Sequence, residues 1–318
     1  MSTTRQLSVI IPVRNEEGNV KPLCEGLLAV LSDITAEYEI IFIDDGSTDG
    51  TFAGVKEFST RDARITGISL SRNFGHQIAL LAGMRRSRGE IVISMDGDLQ
   101  HPPEVIPTLL QKHLEGFDIV NTRRIDASDT GYVKKLTSRW FYHVLNFLGE
   151  VQVQPGSADF RLMSRRAVEA FLAIPERDRF TRGLVSWMGF PQAVVEYTAR
   201  PRLSGRTKYS PAAMLRFALS GITSFSSRPL HLSFYLGIMI SLAGLLYAVY
   251  AVVMFFAGRT ITGWASILVS VLIIGGVILV SLGIIGEYIA RIFHEVKSRP
   301  LYFIKDETGE QKKNNEQP

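Results

Sequence analysis

Short apolar runs alternate with amphipathic stretches along the first 120 or so residues of the chain. The apolar runs predict strands at residues 7–13, 38–43, 65–70, 90–95 and 117–121. The stretches between them predict helices at residues 20–31, 49–59, 75–88 and 103–115. The strands are almost continuously apolar, which is typical of a parallel sheet covered on both faces. The alternation therefore predicts a doubly wound α/β domain.

The last third of the chain has a different pattern. Residues 232–257 and 265–286 contain no Asp, Glu, Lys or Arg, and each run exceeds the roughly 20 residues needed to cross a bilayer. Two such runs joined by a short turn predict a transmembrane hairpin. An earlier amphipathic stretch, residues 133–148, predicts a helix that either packs on the sheet or lies on a membrane surface.

Basic residues flank the predicted hairpin more densely than they occupy its turn. The turn carries only Arg259, whereas the outer flanks carry Arg216, Arg228, Arg291, Lys297 and Arg299. The positive-inside rule then places both flanks in the cytoplasm. The polar residues 1–6 show no secretory signal, which agrees with that orientation. We therefore expect a multi-pass protein of the cytoplasmic membrane with its main domain and both termini in the cytoplasm.

These patterns divide the chain into four parts. Residues 1–210 form the predicted cytoplasmic domain, and residues 211–230 form an amphipathic juxtamembrane segment. Residues 231–290 hold two transmembrane helices at about 232–257 and 265–289. Residues 291–318 form a basic and polar tail, whose polar end from Lys305 we expect to be disordered.

The composition of the chain and the absence of several motifs limit the classes of enzyme and binding site that we expect. The chain is 46% hydrophobic and 21% charged, which fits a polar domain joined to a membrane anchor. The single cysteine, Cys24, excludes an intramolecular disulfide and a multi-cysteine zinc site. The six histidines show no ligand-like spacing, so we expect each to be structural or exposed. Glycine-rich dinucleotide and P-loop motifs and the Gly-x-Ser-x-Gly elbow are all missing, which argues against oxidoreductases, P-loop NTPases and hydrolases.

Polar side chains follow four of the predicted strands, where ligands bind in doubly wound sheets. The most informative group is Asp96-Gly97-Asp98, because carboxylates two residues apart in an extended segment point to the same side. Gln100 adds another oxygen two residues later. Mg²⁺ and Mn²⁺ prefer such oxygen ligands and often use one or two carboxylates together with substrate phosphates. The group therefore predicts a Mg²⁺ or Mn²⁺ site.

A basic segment precedes the hairpin. Residues 197–228 contain six Lys or Arg and no Asp or Glu. Cations before a membrane span often only set topology or attract anionic lipid headgroups. Arg202, Arg206 and Lys208 differ because they surround Gly205, and a glycine-centred loop with several cations is suited to binding phosphate. We expect this loop to bind a diphosphate or a lipid phosphate.

The N-terminal half resembles the catalytic domain of glycosyltransferase family 2, of the GT-A type. Three motifs and the hairpin are similar to those of polyprenyl-phosphate glycosyltransferases, which include dolichyl-phosphate mannose synthases and bactoprenol glucosyltransferases. The motifs are Ser71-Arg72-Asn73-Phe74-Gly75, Asp159-Phe160-Arg161-Leu162 and Gly205-Arg206-Thr207-Lys208-Tyr209. The resemblance runs from Leu7 to about Phe303. It departs at Thr207, where relatives often have Ser, and we expect little effect.

The resemblance implies roles for matching positions. The residues that would contact the nucleotide are Pro12, Glu16, Asp44, Ser47 and Asp96, with Asp44 near the base. Asp98, Gln100 and Asp96 would hold the metal, and Asp96 would also lie close to the donor sugar. Those that would meet the phosphates of donor or acceptor are Arg72, Arg123, Arg124, Arg202, Arg206 and Lys208.

Asp159 and Asp96 would be the catalytic carboxylates. A phosphate monoester, with a second pKa of about 6, is already largely ionised at neutral pH and has little need of a strong base. We therefore expect Asp159 to orient the acceptor or act as a weak base. The alternative is a loop carboxylate that pairs with Arg161.

The implied activity is inverting, metal-dependent transfer of a hexose to undecaprenyl or another polyprenyl phosphate, with UDP-glucose as the first choice of donor. Mannose, GlcNAc or a modified aminoarabinose stay open as the sugar. A processive polysaccharide synthase is a further alternative, although its usual Gln-x-x-Arg-Trp motif has Leu136 in place of Gln before Arg139 and Trp140. A non-enzymatic alternative is a membrane subunit that binds sugar nucleotides. We expect a homo-oligomer, such as a tetramer, and no nucleic-acid partner.

Overall fold

The computed structural model describes residues 7–35, 37–125, 157–177, 179, 181–198, 228–258 and 263–308. The chain separates into two units. Of the described residues, the first unit holds 7–198 and 299–308, and the second holds 228–298. The amphipathic stretch predicted at 133–148 and nearly all of the juxtamembrane segment 211–230 lie outside the described residues.

One sheet forms the centre of the first unit. Its strands are β1 (Leu7–Val13), β2 (Tyr38–Asp44), β3 (Ile65–Leu70), β4 (Ile91–Ser94), β5 (Ile119–Ile125), β6 (Ser157–Ser164), β7 (Gln192–Thr198) and β8 (Ile304–Glu307). Their order across the sheet is β7-β5-β6-β4-β1-β2-β3-β8. β6 and β8 run antiparallel to their neighbours, and the other pairings are parallel. The predicted mostly parallel α/β sheet is confirmed.

Helices follow most of the strands. They are α1 (Glu17–Ile34), α2 (Thr51–Arg61), α3 (His76–Arg86), α4 (Ile106–Leu114, after a 3₁₀ turn at Pro103–Val105), α5 (Arg165–Ala173) and α6 (Thr181–Trp187). Every residue of β1 and β2 is buried, as expected for strands covered on both faces. The predicted elements of the first 120 residues are present with small shifts at their ends. Because β4, β1, β2 and β3 are parallel neighbours in the sheet, their carboxyl ends lie side by side at one edge.

The segment after the hairpin returns to this sheet as β8, so the prediction of a disordered tail from Lys305 is wrong for residues 305–308. Ser69 pairs with Asp306 and Ile68 with Glu307 across the antiparallel ladder. Beyond the strand, the Gly67 amide donates to the Thr308 hydroxyl over 2.7 Å. Charged residues are tolerated here because β8 is an edge strand, and Glu307 forms an ion pair with Arg86.

The second unit contains two long helices, α7 (Arg228–Phe256) and α8 (Trp264–Val296). Their segments Ser233–Met254 and Ile273–Val296 have mean hydropathies of 2.2 and 2.1, and both are long and apolar enough to cross a membrane. Their apolar side chains are exposed; Leu246, for example, is 64% exposed. A soluble protein rarely exposes so large an apolar surface. α8 continues to Val296, past its predicted end at residue 289.

Candidate functional site

The loops after β1, β2 and β3 contact one another at the carboxyl edge of the sheet. The Asn15 amide donates to Ser47 Oγ over 2.9 Å, and the Thr48 amide donates to Asn15 Oδ1 over 2.9 Å. Gly46 has a φ of 67°, and a Cβ placed there would lie 2.6 Å from the backbone carbon of Arg72. Only glycine fits this position, because it needs both a positive φ and a close backbone approach.

Asp44 and Asp45 hold these loops together from inside. Asp44 Oδ1 accepts from the Ser47 amide over 3.0 Å, and its Oδ2 accepts from Ser69 Oγ over 2.9 Å. Asp45 accepts from two amides of the loop after β3, those of Phe74 (2.7 Å) and Gly75 (3.0 Å). Burial raises the pKa of Asp45, although both amides favour its ionised form. The predicted contact of Asp44 with the base of a nucleotide stays a prediction.

The other predicted nucleotide residues lie in the same loops. Pro12 is buried within β1, and Glu16 follows that strand. The Glu16 amide donates to Thr51 Oγ1 over 2.8 Å, and its carboxylate accepts from the Asn19 side chain. The structure thus brings Pro12, Glu16, Asp44 and Ser47 to one edge, as their positions after neighbouring strands predicted.

The Asp96-Gly97-Asp98 loop lies against the end of β1. A Cβ on Gly97 would be 2.6 Å from Val13 Cγ1, so a larger residue would push this loop away from the sheet. Asp98 Oδ1 accepts from the Gln100 amide over 3.1 Å. Asp96 is half-buried, and its Oδ1 has no hydrogen-bond partner within the described part of the chain. A buried oxygen without a hydrogen-bond partner is unusual and is often explained by a catalytic role or by a bound ion or water.

These oxygens fit a divalent cation that is completed by a ligand. The described residues contain no group of three or more His, Cys, Asp or Glu side chains able to hold a metal alone. Two carboxylates, Asp96 and Asp98, suit Mg²⁺ or Mn²⁺ when substrate phosphates supply the remaining ligands. Gln100 Oε1 accepts from Arg124 Nη1 over 3.2 Å, so its predicted role as a ligand would require that contact to break.

Asp159 lies on β6, beside β4, and is buried. Arg161 Nη2 lies 3.0 Å from Asp159 Oδ1, and Arg182 Nη2 lies 3.3 Å from Asp159 Oδ2. Gln77 Nε2 also donates to Oδ2, over 3.4 Å. Burial opposes ionisation, but the hydrogen bond with His76 and the charges of Arg182 and Arg161 hold the pKa of Asp159 well below its usual value. Such a carboxylate is a poor base, so its geometry favours an orienting role.

Two histidines line the same site, although the sequence indicated no role for them. His76 Nε2 lies 3.4 Å from Asp96 Oδ1 and 3.5 Å from Asp159 Oδ2. Burial opposes its charged form, but the hydrogen bond to Asp159 and the charge of Asp96 outweigh burial and raise the pKa of His76 to about 8. His101 Nδ1 accepts from the Asp96 amide over 2.9 Å, which leaves its Nε2 as the donor, 3.6 Å from Asp96 Oδ2.

The predicted phosphate-binding arginines divide into three groups. Arg123 pairs with Glu196 of β7, whereas Arg124 contacts Gln100 in the loop after β4. Consecutive strand residues point to opposite faces, which explains the difference. Arg72 lies 4.2 Å from the ring centroid of Phe74 in the loop after β3. Arg202, Arg206 and Lys208 lie outside the described residues, and their roles stay predictions.

His76, Gln77, His101 and Arg182 therefore join the site without having been predicted. His76 and Gln77 directly follow the Ser71–Gly75 motif, so extending that motif by two residues would have found them. Arg182 had no signal, because it reaches Asp159 from a separate helix.

Comparisons with known proteins match both the N-terminal and the C-terminal part of the chain. The family model of glycosyl transferase family 2 matches residues 8–172, and that of the GtrB C-terminal hairpin matches residues 228–292. An uncharacterized glycosyltransferase of Synechocystis sp. is 43% identical over 96% of both chains. The SfII prophage-derived bactoprenol glucosyl transferase of Shigella flexneri is 39% identical, over 94% of this chain and 97% of its own.

Among solved structures, glucosyl-3-phosphoglycerate synthase from Mycobacterium tuberculosis in complex with Mn²⁺, UDP and glucosyl-3-phosphoglycerate is 24% identical. The match has a TM-score of 0.46 and covers 69% of this chain and 79% of that one. The family models and the full-length relatives together establish that this chain belongs to glycosyl transferase family 2 and is a glycosyltransferase with a GT-A catalytic fold and a GtrB-type C-terminal hairpin.

Proposed function

We propose that the protein transfers glucose from UDP-glucose to undecaprenyl phosphate, or a similar polyprenyl phosphate, at the cytoplasmic face of a membrane. The observation that carries the proposal is the Asp96-Gly97-Asp98 loop beside the buried, cation-surrounded Asp159, in a chain that also has two exposed apolar helices. The Shigella flexneri relative named as a bactoprenol glucosyl transferase supports both the sugar and the lipid.

A lipid acceptor gives the two apolar helices a function. A soluble acceptor would give no reason to tie a transferase to a bilayer, whereas a polyprenyl phosphate keeps its reactive phosphate at the membrane surface. β1 to β7 precede the helices and β8 follows them, yet all belong to one sheet. If both helices span the membrane, their outer ends must therefore lie on the same side. The basic residues at those ends support a cytoplasmic location for that side.

The site residues account for a displacement at the sugar. Asp96 and Asp98 would hold Mg²⁺ or Mn²⁺, which supplies positive charge to the departing diphosphate. The lowered pKa makes Asp159 a poor proton acceptor, so it would orient the acceptor through the arginines paired with it rather than remove a proton. The acceptor phosphate is already ionised at neutral pH and attacks directly. Attack on the face opposite the diphosphate inverts the anomeric carbon.

Purified protein in detergent, mixed with undecaprenyl phosphate, Mg²⁺ and a panel of labelled nucleotide sugars, tests the proposal. We expect label from UDP-glucose to appear in the lipid extract, and we expect EDTA to prevent this transfer. Transfer of label from a different donor alone would mean that the transferred sugar is the one in that donor and not glucose. The absence of lipid-extracted label from every donor would refute the proposed function, whereas EDTA-resistant transfer would refute only the role of the metal.

A further inference from the structure

We propose that His76 is a positioning residue that bridges Asp96 and Asp159 and thereby holds the Asp96-Gly97-Asp98 loop in the geometry needed for sugar transfer. The inference rests on the proposed function and adds a residue to it. One nitrogen, Nε2, lies 3.4 Å from Asp96 Oδ1 and 3.5 Å from Asp159 Oδ2. The two carboxylates belong to the end of β4 and to β6, so His76 links two separate segments of the site.

Asp159 does not depend on this bridge for its place. It lies on β6 within the sheet, and Arg161 and Arg182 both pair with it. Gln77 donates to it as well, over 3.4 Å. Loss of the His76 side chain would therefore leave Asp159 held by its other partners.

Asp96 has far less support. Its Oδ2 lies 3.6 Å from His101 Nε2, and its Oδ1 has no hydrogen-bond partner within the described residues. The imidazole of His76 lies 3.4 Å from Oδ1, and the charge of Arg161 also acts on Asp96. A donor between two carboxylates also reduces their mutual repulsion. We infer that removing His76 lets the Asp96 side chain turn away while Asp159 remains in position.

The backbone of His76 is itself anchored to the loop after β2, which carries predicted nucleotide-binding residues. His76 is the first residue of α3, and Gly75 before it has a φ of 103°. The Gly75 amide donates to Asp45 Oδ2 over 3.0 Å. Asp45 therefore fixes the start of the helix from which His76 reaches Asp96. This connection runs from the loop after β2 to the loop after β4 through α3.

Two substitutions separate positioning from general structure. His76→Ala removes the bridge, whereas His76→Gln keeps an amide donor near the position of Nε2. His113→Gln is the matched control, because His113 lies on a different helix, α4, where its Nδ1 lies 2.8 Å from the Phe117 carbonyl oxygen. For each variant, kcat and the KM for UDP-glucose are measured with undecaprenyl phosphate and Mg²⁺.

We expect His76→Ala to lower kcat by about 100-fold, the range seen when a group that stabilises the transition state is lost. The KM for UDP-glucose should change by less than about threefold, because the nucleotide loops keep their hydrogen bonds. His76→Gln should recover at least about tenfold of the lost kcat. An alanine variant with kcat close to wild type, or a glutamine variant no better than alanine, would overturn the inference.

A second measurement does not need turnover. The unfolding temperature is measured for His76→Ala and for Asp96→Asn, alone and combined. If the two side chains interact, the drop caused by His76→Ala should be clearly smaller in the Asp96→Asn background. Equal drops in both backgrounds would overturn the bridge. If wild-type protein forms no lipid-linked product, the proposed function fails, and this cycle still decides whether His76 and Asp96 are coupled.

Discussion

The two aspartate pairs that follow β2 and β4 look alike in sequence and are held very differently in the structure. Asp44 and Asp45 are only 2% and 4% exposed, and all four of their carboxylate oxygens accept hydrogen bonds from neighbouring loops. The Asp96 side chain is 34% exposed, and its Oδ1 lacks a hydrogen-bond partner in the described part of the chain. The first pair is satisfied by hydrogen bonds within the protein, whereas we propose that a ligand completes the second.

We therefore expect the first pair to support the structure and the second pair to take part in the reaction. The first pair joins the loop after β2 to β3 and to the loop after β3, so damage there should reduce stability and activity together. The second pair should matter more for the reaction than for stability, because Asp96 and Asp98 are only half-buried. Four predictions test that separation, beginning with the largest effect.

Asp98→Ala should abolish most activity and leave the unfolding temperature nearly unchanged. We expect a loss of roughly 10²–10³-fold in kcat, because charge on the departing diphosphate would lose its stabilisation. Lipid-linked label from UDP-glucose measures the activity, and thermal unfolding in detergent measures the stability. Asp33→Ala, at an exposed position of α1, is the matched control and should change neither. Full activity of Asp98→Ala would place the chemistry elsewhere.

Gly46→Ala should reduce stability first and activity as a consequence. A residue with a Cβ would be strained at a φ of 67° and would lie 2.6 Å from backbone of the loop after β3. Strain of about 1–3 kcal/mol corresponds to a fall of at least about 2–4 °C in unfolding temperature. Gly18→Ala has open space around it in α1 and should leave the temperature unchanged or slightly higher. Equal temperatures for both variants would contradict the scaffold role of the first loops.

Thr308→Val should show that the chain after the hairpin belongs to the sheet. It leaves the buried Gly67 amide without the hydroxyl that now accepts from it over 2.7 Å. Loss of such a partner costs about 1–3 kcal/mol, and differential scanning fluorimetry would report the drop. Thr308→Ser keeps the hydroxyl and should remain close to wild type. Identical curves for the two variants would mean that the hydrogen bond between Gly67 and Thr308 contributes nothing to stability.

The smallest effect is expected at Asp118, just before the start of β5 and far along the chain from the two aspartate pairs. Its hydrogen bonds with the Arg166 and Ser164 side chains hold its pKa below the usual value. An acid with a lowered pKa stabilises the fold above the pKa of about 3.9 it has when unfolded, and this contribution is lost as the pH falls through the folded value.

Asp118→Asn should therefore lower the unfolding temperature by a few degrees at pH 7, with a cost of about 1 kcal/mol because Arg166 is mostly exposed. The gap from wild type should close as the pH falls below about 4. A gap that stays constant down to pH 3 would show that charge is not the cause.

The first five strands and the carboxylates of Asp96 and Asp98 could be predicted because each depends on a short stretch of sequence. β1 to β5 are apolar runs ending in polar clusters, and Asp96 and Asp98 follow one of them directly. β6 was not predicted because Asp159 and Arg161 interrupt its apolar pattern; their pairing was considered from the sequence, but for a loop rather than a strand. β8 was missed because three of its four residues are charged.

The missing site residues depend on long-range contacts. His76 and Gln77 meet Asp159 from 83 and 82 positions away in the chain, and Arg182 meets it from a third segment. No spacing rule connects such positions before the sheet order is known. The antiparallel placement of β6 beside β4 is what brings Asp159 to the loop that carries Asp96.

The most direct test of the account is the mass of the lipid product. Wild-type protein is incubated with UDP-glucose, undecaprenyl phosphate and Mg²⁺, and the lipid extract is analysed by mass spectrometry. We expect a new species that carries one hexose on the lipid phosphate and is absent when UDP-glucose is omitted. An extract that contains only unmodified undecaprenyl phosphate, or a lipid carrying a sugar chain, would contradict it.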